Sequence, residues 1–137
     1  MNRPLVAFRN NQTVKASIAA NGDIFATSFN PTSSRAVKDK IVDLESQKAR
    51  AALRDLVPVE YVYKDDPKSE QRVGFIAEDV PEIVANADRK SVPIMDVVAL
   101  LTRVVKDQQQ TIEEQKRINA SLIERLNALE VRMRKPN

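Results

Sequence analysis

The chain has 137 residues and a formal net charge of +3, from 22 lysine and arginine residues against 19 aspartate and glutamate residues. It contains no cysteine and no histidine, which excludes disulfides, thiol nucleophiles, Cys/His zinc sites and His-based catalytic triads. No apolar run reaches the roughly 18 residues of a transmembrane helix, and acidic and basic residues alternate, so we expect neither a membrane nor a nucleic acid as partner.

Short strands are predicted near the start of the chain. Residues 5–8, 14–18 and 24–29 are rich in apolar residues, and residues 14–18 alternate with the period of two that is typical of a strand. Asn21 and Gly22 indicate a turn, because both residue types accept a positive φ at low cost. Aromatic residues make up only 4% of the chain, and a few short strands cannot bury a core alone. We therefore expect them to pack against the rest of the chain or against two further copies.

A helix is predicted to follow. Residues 30–34 combine helix-breaking residues with two candidate N-caps, Ser33 and Ser34. Apolar residues then recur at helical spacing, and Pro58 ends the helix. These apolar residues are Val37, Ile41, Leu44, Ala51, Ala52 and Leu56.

A β-hairpin is predicted after this helix. Residues 59–63 and 72–77 alternate as strands, and a polar turn joins them. Gly74 indicates a bulge or a close backbone approach, and Pro81 suits the start of a short helix or turn. The acidic pairs in this region are interpreted as turn and cap residues. A carboxylate-only Mg²⁺ or Ca²⁺ site stays open, but no EF-hand spacing is present, and we expect no metal and no cofactor.

The segment 93–135 has the most regular pattern, that of a long helix. Residues 94–135 contain neither proline nor glycine, and apolar residues fit a seven-residue repeat. A helix of about 40 residues is roughly 60 Å long, and an apolar stripe of that length needs a partner. A parallel coiled coil of identical chains provides one. Position a holds Val98, Val105, Ile112, Leu126 and Met133, and position d holds Leu101, Leu122 and Leu129.

Three polar residues, Gln108, Gln115 and Asn119, interrupt this repeat at the remaining core positions. Each weakens the seam but can fix register and oligomeric state. Because asparagine at position a often favours dimers, the periodicity alone does not give the number of chains. A monomer whose helix folds back on its own domain is the alternative interpretation.

Four motifs together resemble one known family. Residues 33–41 read SSRAVKDKI, against a family pattern of Ser-Asp-x-x-(Leu/Val)-Lys-x-x-Ile. Residues 56–63 read LVPVEYVY and residues 74–81 read GFIAEDVP, and both follow family signatures. A leucine pair at 100–101 and glutamines at 108–110 match the family's C-terminal helix. In these features the chain resembles the C-terminal intramolecular chaperone domain of phage endosialidases, tailspikes and tail fibres. One departure is Ser34, where the family usually has Asp, and a slower cut is one expected consequence.

The resemblance implies an architecture and a context. It implies an α+β fold in which a β-rich stem precedes a small helix-plus-hairpin domain and a long helix that forms a parallel trimeric coiled coil. Residues 1–32 would then be the end of a fibre stem, often a triple β-helix, and residues 33–137 the chaperone domain, with the long helix at 93–135. The expected partner is a homotrimer that acts on its own stem. The expected location is the tail fibre or tailspike of a phage virion, assembled in the bacterial host cytoplasm.

The resemblance also implies autoproteolysis by a serine peptidase dyad. Ser33 would be the nucleophile and Lys38 its base, since no histidine is available. The expected cleavage site is the Thr32–Ser33 bond, with Ser33–Ser34 as the lesser option. A lysine is a base only when neutral, and burial in a trimer interface or a neighbouring cation such as Arg35 would favour that form. Without the resemblance, a serine before an apolar helix is interpreted as an N-cap.

Two other functions stay open on sequence grounds. The first is a permanent trimerisation domain that never cuts, which an intact mass would distinguish. The second is a coiled-coil adaptor that binds a partner helix, which would form a dimer or a heteromer.

Overall fold

The structure is a computed structural model that describes residues 4–134. The predicted stem segment 1–32 and the predicted helix 93–135 therefore each extend slightly beyond the described residues. Two compact units divide between Ile41 and Val42, and each is described by itself.

The first unit contains a three-stranded antiparallel sheet in the order β1-β2-β3. Strand β1 is Pro4–Asn10, β2 is Thr13–Ala19 and β3 is Ile24–Ala26. Phe8 pairs with Ala16, which pairs in turn with Ala26. The three predicted strands are thus present, but the prediction that the third extends to residue 29 is wrong, because the pairing with β2 ends at Ala26.

The predicted turn between β2 and β3 forms around Gly22, whose φ is +87°. The Asn21 side chain accepts from the Asp23 amide at 3.3 Å and donates to the Asp23 carboxylate at 2.7 Å. The Gly22 amide donates to the Ala19 carbonyl at 3.0 Å. These bonds are those of a turn in which an asparagine side chain replaces a backbone acceptor and glycine takes the left-handed conformation.

Neither face of this sheet is covered within its own unit. Among residues 5–41, Ala19 is the one buried residue, and Phe8 is 60% exposed. Leu5, Ile24, Phe25 and Phe29 are exposed as well. The sheet therefore exposes apolar side chains and has no core of its own, as expected for a few short strands.

The second unit contains helix α1, Ser46–Asp55, the hairpin strands β4, Val59–Tyr61, and β5, Arg72–Gly74, and helix α2, Ile94–Met133. A 3₁₀ turn, Glu82–Val84, precedes α2. Its core consists of side chains from α1, from the segment around the 3₁₀ turn and from the first turns of α2. These buried residues are Ala49, Ala52, Leu56, Val80, Val84, Val97, Leu100 and Val104.

The predicted helix from residue 34 to residue 57 is wrong over its first half. In its place, a 3₁₀ turn, Arg35–Val37, belongs to the first unit and is followed by residues 38–45 without helical structure. Lys40 has a φ of +50°, and its amide donates to the Asp39 carboxylate at 2.8 Å. A side chain that takes over a backbone amide competes with helix formation, and a left-handed residue cannot continue a right-handed helix.

The hairpin is shorter than predicted, since its strands end at Tyr61 and Gly74 instead of residues 63 and 77. Gly74 pairs with Val59, and a Cβ atom at Gly74 would lie 3.1 Å from Cε1 of the Tyr61 ring. The glycine therefore permits the close approach of this ring. Tyr61 also packs edge to face on Tyr63, with a centroid distance of 5.2 Å.

Helix α2 runs for 40 residues, which confirms the long predicted helix. Its first turns pack on α1 through Val97, Leu100 and Val104, whereas every residue from 108 to 134 is exposed. Within the part of the chain that is described, no helix is both long and apolar enough to cross a bilayer.

A cluster of charged and polar side chains also joins α1 to α2. The Asp107 carboxylate accepts from Ser46 at 3.1 Å, from Arg50 at 3.3 Å and from Arg103 at 3.2 Å. Arg103 also donates to the Ser46 hydroxyl. The Asp107 side chain is only 11% exposed, so its carboxylate has lost most of its hydration. The charge-assisted bonds offset the cost of this desolvation and hold α1 against α2.

Candidate active site

The segment 33–38 contains the two residues that the resemblance assigns to chemistry. It contains the 3₁₀ turn Arg35–Val37, in which the Val37 amide donates to the Ser34 carbonyl and the Lys38 amide donates to the Arg35 carbonyl, both at 3.2 Å. Lys38 leaves the turn in an extended conformation, with φ −120° and ψ 147°. The chain therefore folds back once and then straightens.

This local fold brings Lys38 to Ser33. The Lys38 Nζ donates a hydrogen bond to the Ser33 Oγ at 2.7 Å. Both residues lie within the first unit and both are exposed. A serine hydroxyl in contact with an amine is the arrangement that a serine–lysine dyad requires.

Ser33 and Lys38 are five residues apart, a spacing that does not bring two side chains together on a helix. At 3.6 residues per turn, residues five apart in a continuous α-helix lie about 140° apart around the axis. Ser33 and Lys38 would then point to different sides. The contact forms here because the helix predicted through residue 38 is replaced by a single turn and an extended lysine.

Ser34, and not Ser33, is the N-cap of the turn. Its Oγ accepts from the Ala36 amide at 3.2 Å, and its φ of −63° and ψ of 144° are those of an N-cap residue. The sequence left both serines open for this role. Since Ser34 fills it, the Ser33 hydroxyl is free to meet Lys38. Aspartate, the usual family residue at position 34, is also a favoured N-cap.

Backbone amides near Ser33 are the candidates for stabilising an oxyanion. The amides of Ala36, Val37 and Lys38 already donate within the turn. The amides of Ser34 and Arg35 donate no hydrogen bond to an acceptor within residues 4–134. They are the donors in this segment that a developing negative charge could recruit.

The comparisons with known proteins match the segment that contains this pair. Residues 33–89 match a family model described as chaperone of endosialidase, whose name classes it among peptidases. The matched range begins at Ser33, includes the hairpin and ends before α2. The comparisons with curated proteins and with solved structures give no match.

The match supports a chaperone role for this part of the chain and a phage tail-fibre context. The order of the three motifs within 33–89 agrees with it, as does the α+β architecture of small sheets and one long helix. As its motifs predict, the chain matches the chaperone of endosialidase family over residues 33–89.

Proposed function

We propose that the chain is an intramolecular chaperone that trimerises through α2, registers the stem of a phage-type tail fibre or tailspike, and then cuts itself from that stem. The family match supports the chaperone role. The observation that carries the cut is the 2.7 Å hydrogen bond from Lys38 Nζ to Ser33 Oγ. The product would be part of a virion, assembled in the cytoplasm of a bacterial host.

Trimerisation is supported by the exposed stripe of α2. The predicted a and d residues are all exposed, and Val105, Ile112 and Leu126 are each about half exposed. A stripe of that length in water favours association, since each buried apolar side chain contributes on the order of 1.5–3 kcal/mol. Three parallel helices would bury it.

The sheet of the first unit supports the role as a stem end. Its apolar side chains are exposed on a single chain, and three chains side by side would cover them. Pairing strands from several chains is slow, because loop-closure entropy opposes long-range contacts. A trimer that forms first at α2 raises the local concentration of the stems and sets their register.

The cut is an acyl transfer within the chain. Neutral Lys38 takes the proton of Ser33 Oγ as Oγ bonds to the carbonyl carbon of Thr32. The bond from that carbon to the Ser33 nitrogen breaks, and Lys38 returns the proton to this nitrogen. The Thr32 carbonyl carbon is then linked to Ser33 Oγ as an ester. Water, deprotonated by Lys38, hydrolyses the ester to a Thr32 carboxyl group and the original hydroxyl.

Ring size favours the Thr32–Ser33 bond over the Ser33–Ser34 bond. Attack of Oγ on the preceding carbonyl closes a five-membered ring, whereas attack on the carbonyl of Ser33 itself would close a strained four-membered one. The fragments expected therefore end at Thr32 and begin at Ser33. Hydroxylamine added during the reaction would intercept the ester and leave a hydroxamate on Thr32.

Assembly would control the cut through the protonation of Lys38. On the single chain, Lys38 is exposed to water. Packing of three chains around the segment would remove water and favour the neutral amine. The cut would then follow assembly, and the released fibre would lack the domain that assembled it, which makes its stability kinetic.

The test is mass spectrometry of the freshly expressed chain beside four variants. Wild type and Lys48→Ala, a control on an exposed lysine of α1, should yield the fragment beginning at Ser33. Ser33→Ala and Lys38→Ala should stay full length. Lys38→Arg should also stay full length, because arginine keeps the charge and the hydrogen bond but does not deprotonate. Efficient cutting of Ser33→Ala or Lys38→Arg would refute the dyad.

The exposure of the Ser33–Lys38 pair favours one alternative, a permanent trimerisation domain that never cuts. It predicts a full-length wild-type chain in the same experiment. A coiled-coil adaptor would use the same stripe of α2 with another partner. Light scattering that gives a mass of one or two chains would favour it over the trimer.

A further inference from the structure

We infer that Ser34 is the positioning residue of the dyad, because its side chain holds the turn that places Lys38 against Ser33. This inference rests on the proposed self-cleavage. Ser34 does not touch the scissile bond in this role. It acts through the conformation of residues 34–38.

The turn has little else to hold it. Two backbone bonds and the bond from the Ala36 amide to Ser34 Oγ define it. None of its residues is buried, and Val37 is 66% exposed. A 3₁₀ turn of three residues is weak by itself because its hydrogen-bond geometry is poor. The Ser34 cap is therefore one of three bonds from backbone amides that keep the turn folded in water.

Loss of the turn would separate the dyad. Five residues of extended chain span up to roughly 17 Å between the Cα atoms of Ser33 and Lys38. The two side chains together are too short to bridge that distance. The contact at 2.7 Å thus depends on the fold-back, and the fraction of molecules with a formed turn limits the fraction that can react.

The matched pair of variants is Ser34→Thr and Ser34→Val, since the two side chains have nearly the same shape and only threonine offers the acceptor. Ser34→Asp provides a second capping side chain. In the full chain, the cutting rate of the Thr and Asp variants should stay within about threefold of wild type. The Val variant should be slower by about 2- to 30-fold, the range that loss of an N-cap implies.

The pH profile separates positioning from general damage. Removing the cap lowers the population of the turn but leaves the base unchanged, so the rate of the Val variant should fall at every pH with its midpoint kept. A shifted midpoint, or a Val variant as fast as the Thr variant, would overturn the inference.

A readout independent of cutting uses NMR of the same chains with labelled lysine and serine. In Ser34→Thr, nuclear Overhauser contacts between the Lys38 ε protons and the Ser33 β protons should persist, and the Ala36 amide should exchange slowly. In Ser34→Val, both should be lost. If the wild type is never cut, the proposed cleavage fails, and this comparison still decides the positioning role. Equal contacts in the two variants would overturn it.

Discussion

Val97 and Val98 are neighbours in α2, yet Val97 is 8% exposed and Val98 is 44% exposed. One residue turns a helix by about 100°, so the two lie on different faces. The face of Val97 continues through Leu100 and Val104 onto α1, and the face of Val98 continues along the predicted coiled-coil positions. The alternative in which the helix folds back on its own domain therefore occupies one apolar face and leaves the other without a partner.

The exposed face should govern association and not folding. We expect Leu126→Glu to reduce the mass from three chains to one, because a charge at position a must be desolvated in the seam. Asn127→Glu, one residue away and off the seam, should remain trimeric. Sedimentation velocity measures both, and a trimer in Leu126→Glu would show that this stripe is not the interface.

The buried face should govern folding of the second unit. Leu100 is 1% exposed and its neighbour Leu101 is 41% exposed. We expect Leu100→Ala to lower the free energy of unfolding by about 2–5 kcal/mol through the cavity it leaves. Leu101→Ala should weaken association more than the fold. Denaturant titration at high and low protein concentration distinguishes the two effects, and equal unfolding energies for both variants would contradict the packing.

The Asp107 cluster should stabilise the contact of α1 with α2. Asp107→Asn removes the charge that Arg50 and Arg103 face. We expect a loss of about 1–2 kcal/mol, less than for a fully buried pair because both arginines are partly exposed. Glu113→Gln breaks the exposed pair with Lys116 and should change the stability by under about 0.5 kcal/mol. Thermal unfolding of the two variants should show this difference, and similar losses would argue against the cluster.

The loop of the hairpin should lose order in acid. Hydrogen bonds from the backbone amides of Lys68 and Glu70 hold the pKa of Asp66 below its ordinary value of 3.8. A lowered pKa means that the ionised carboxylate stabilises the loop fully above 3.8, and that this contribution is lost as the pH falls through the folded value. An NMR titration should give an Asp66 midpoint below 3.8 with slower exchange of the Glu70 amide above it. A midpoint above 3.8 would contradict the loop geometry.

The long helix was predictable because its signal is local and repeated. Residues 94–135 lack both helix breakers, and the observed helix ends within two residues of the predicted bounds. The second apolar face was missed, although Val97, Leu100 and Val104 also recur at helical spacing. A heptad search selects one stripe, and only the position of α1 shows that another is used within the chain.

The contact of Ser33 with Lys38 followed from the resemblance and not from spacing. Helical periodicity predicted a continuous helix, in which residues five apart diverge. The helix is interrupted where Lys40 takes a left-handed conformation and its amide donates to the Asp39 carboxylate. Apolar spacing alone does not reveal this side-chain bond, which competes with helix formation. The choice between Ser33 and Ser34 as the N-cap was equally open, since both serines can accept the same bond.

Native mass spectrometry of the wild type and of Lys38→Ala, each purified immediately after expression, tests the central claim most directly. Self-cleavage within an assembled trimer predicts three chains beginning at Ser33 for the wild type and three full-length chains for the variant. A Lys38→Ala assembly that contains chains beginning at Ser33, or a wild type cut while it is a single chain, would contradict it.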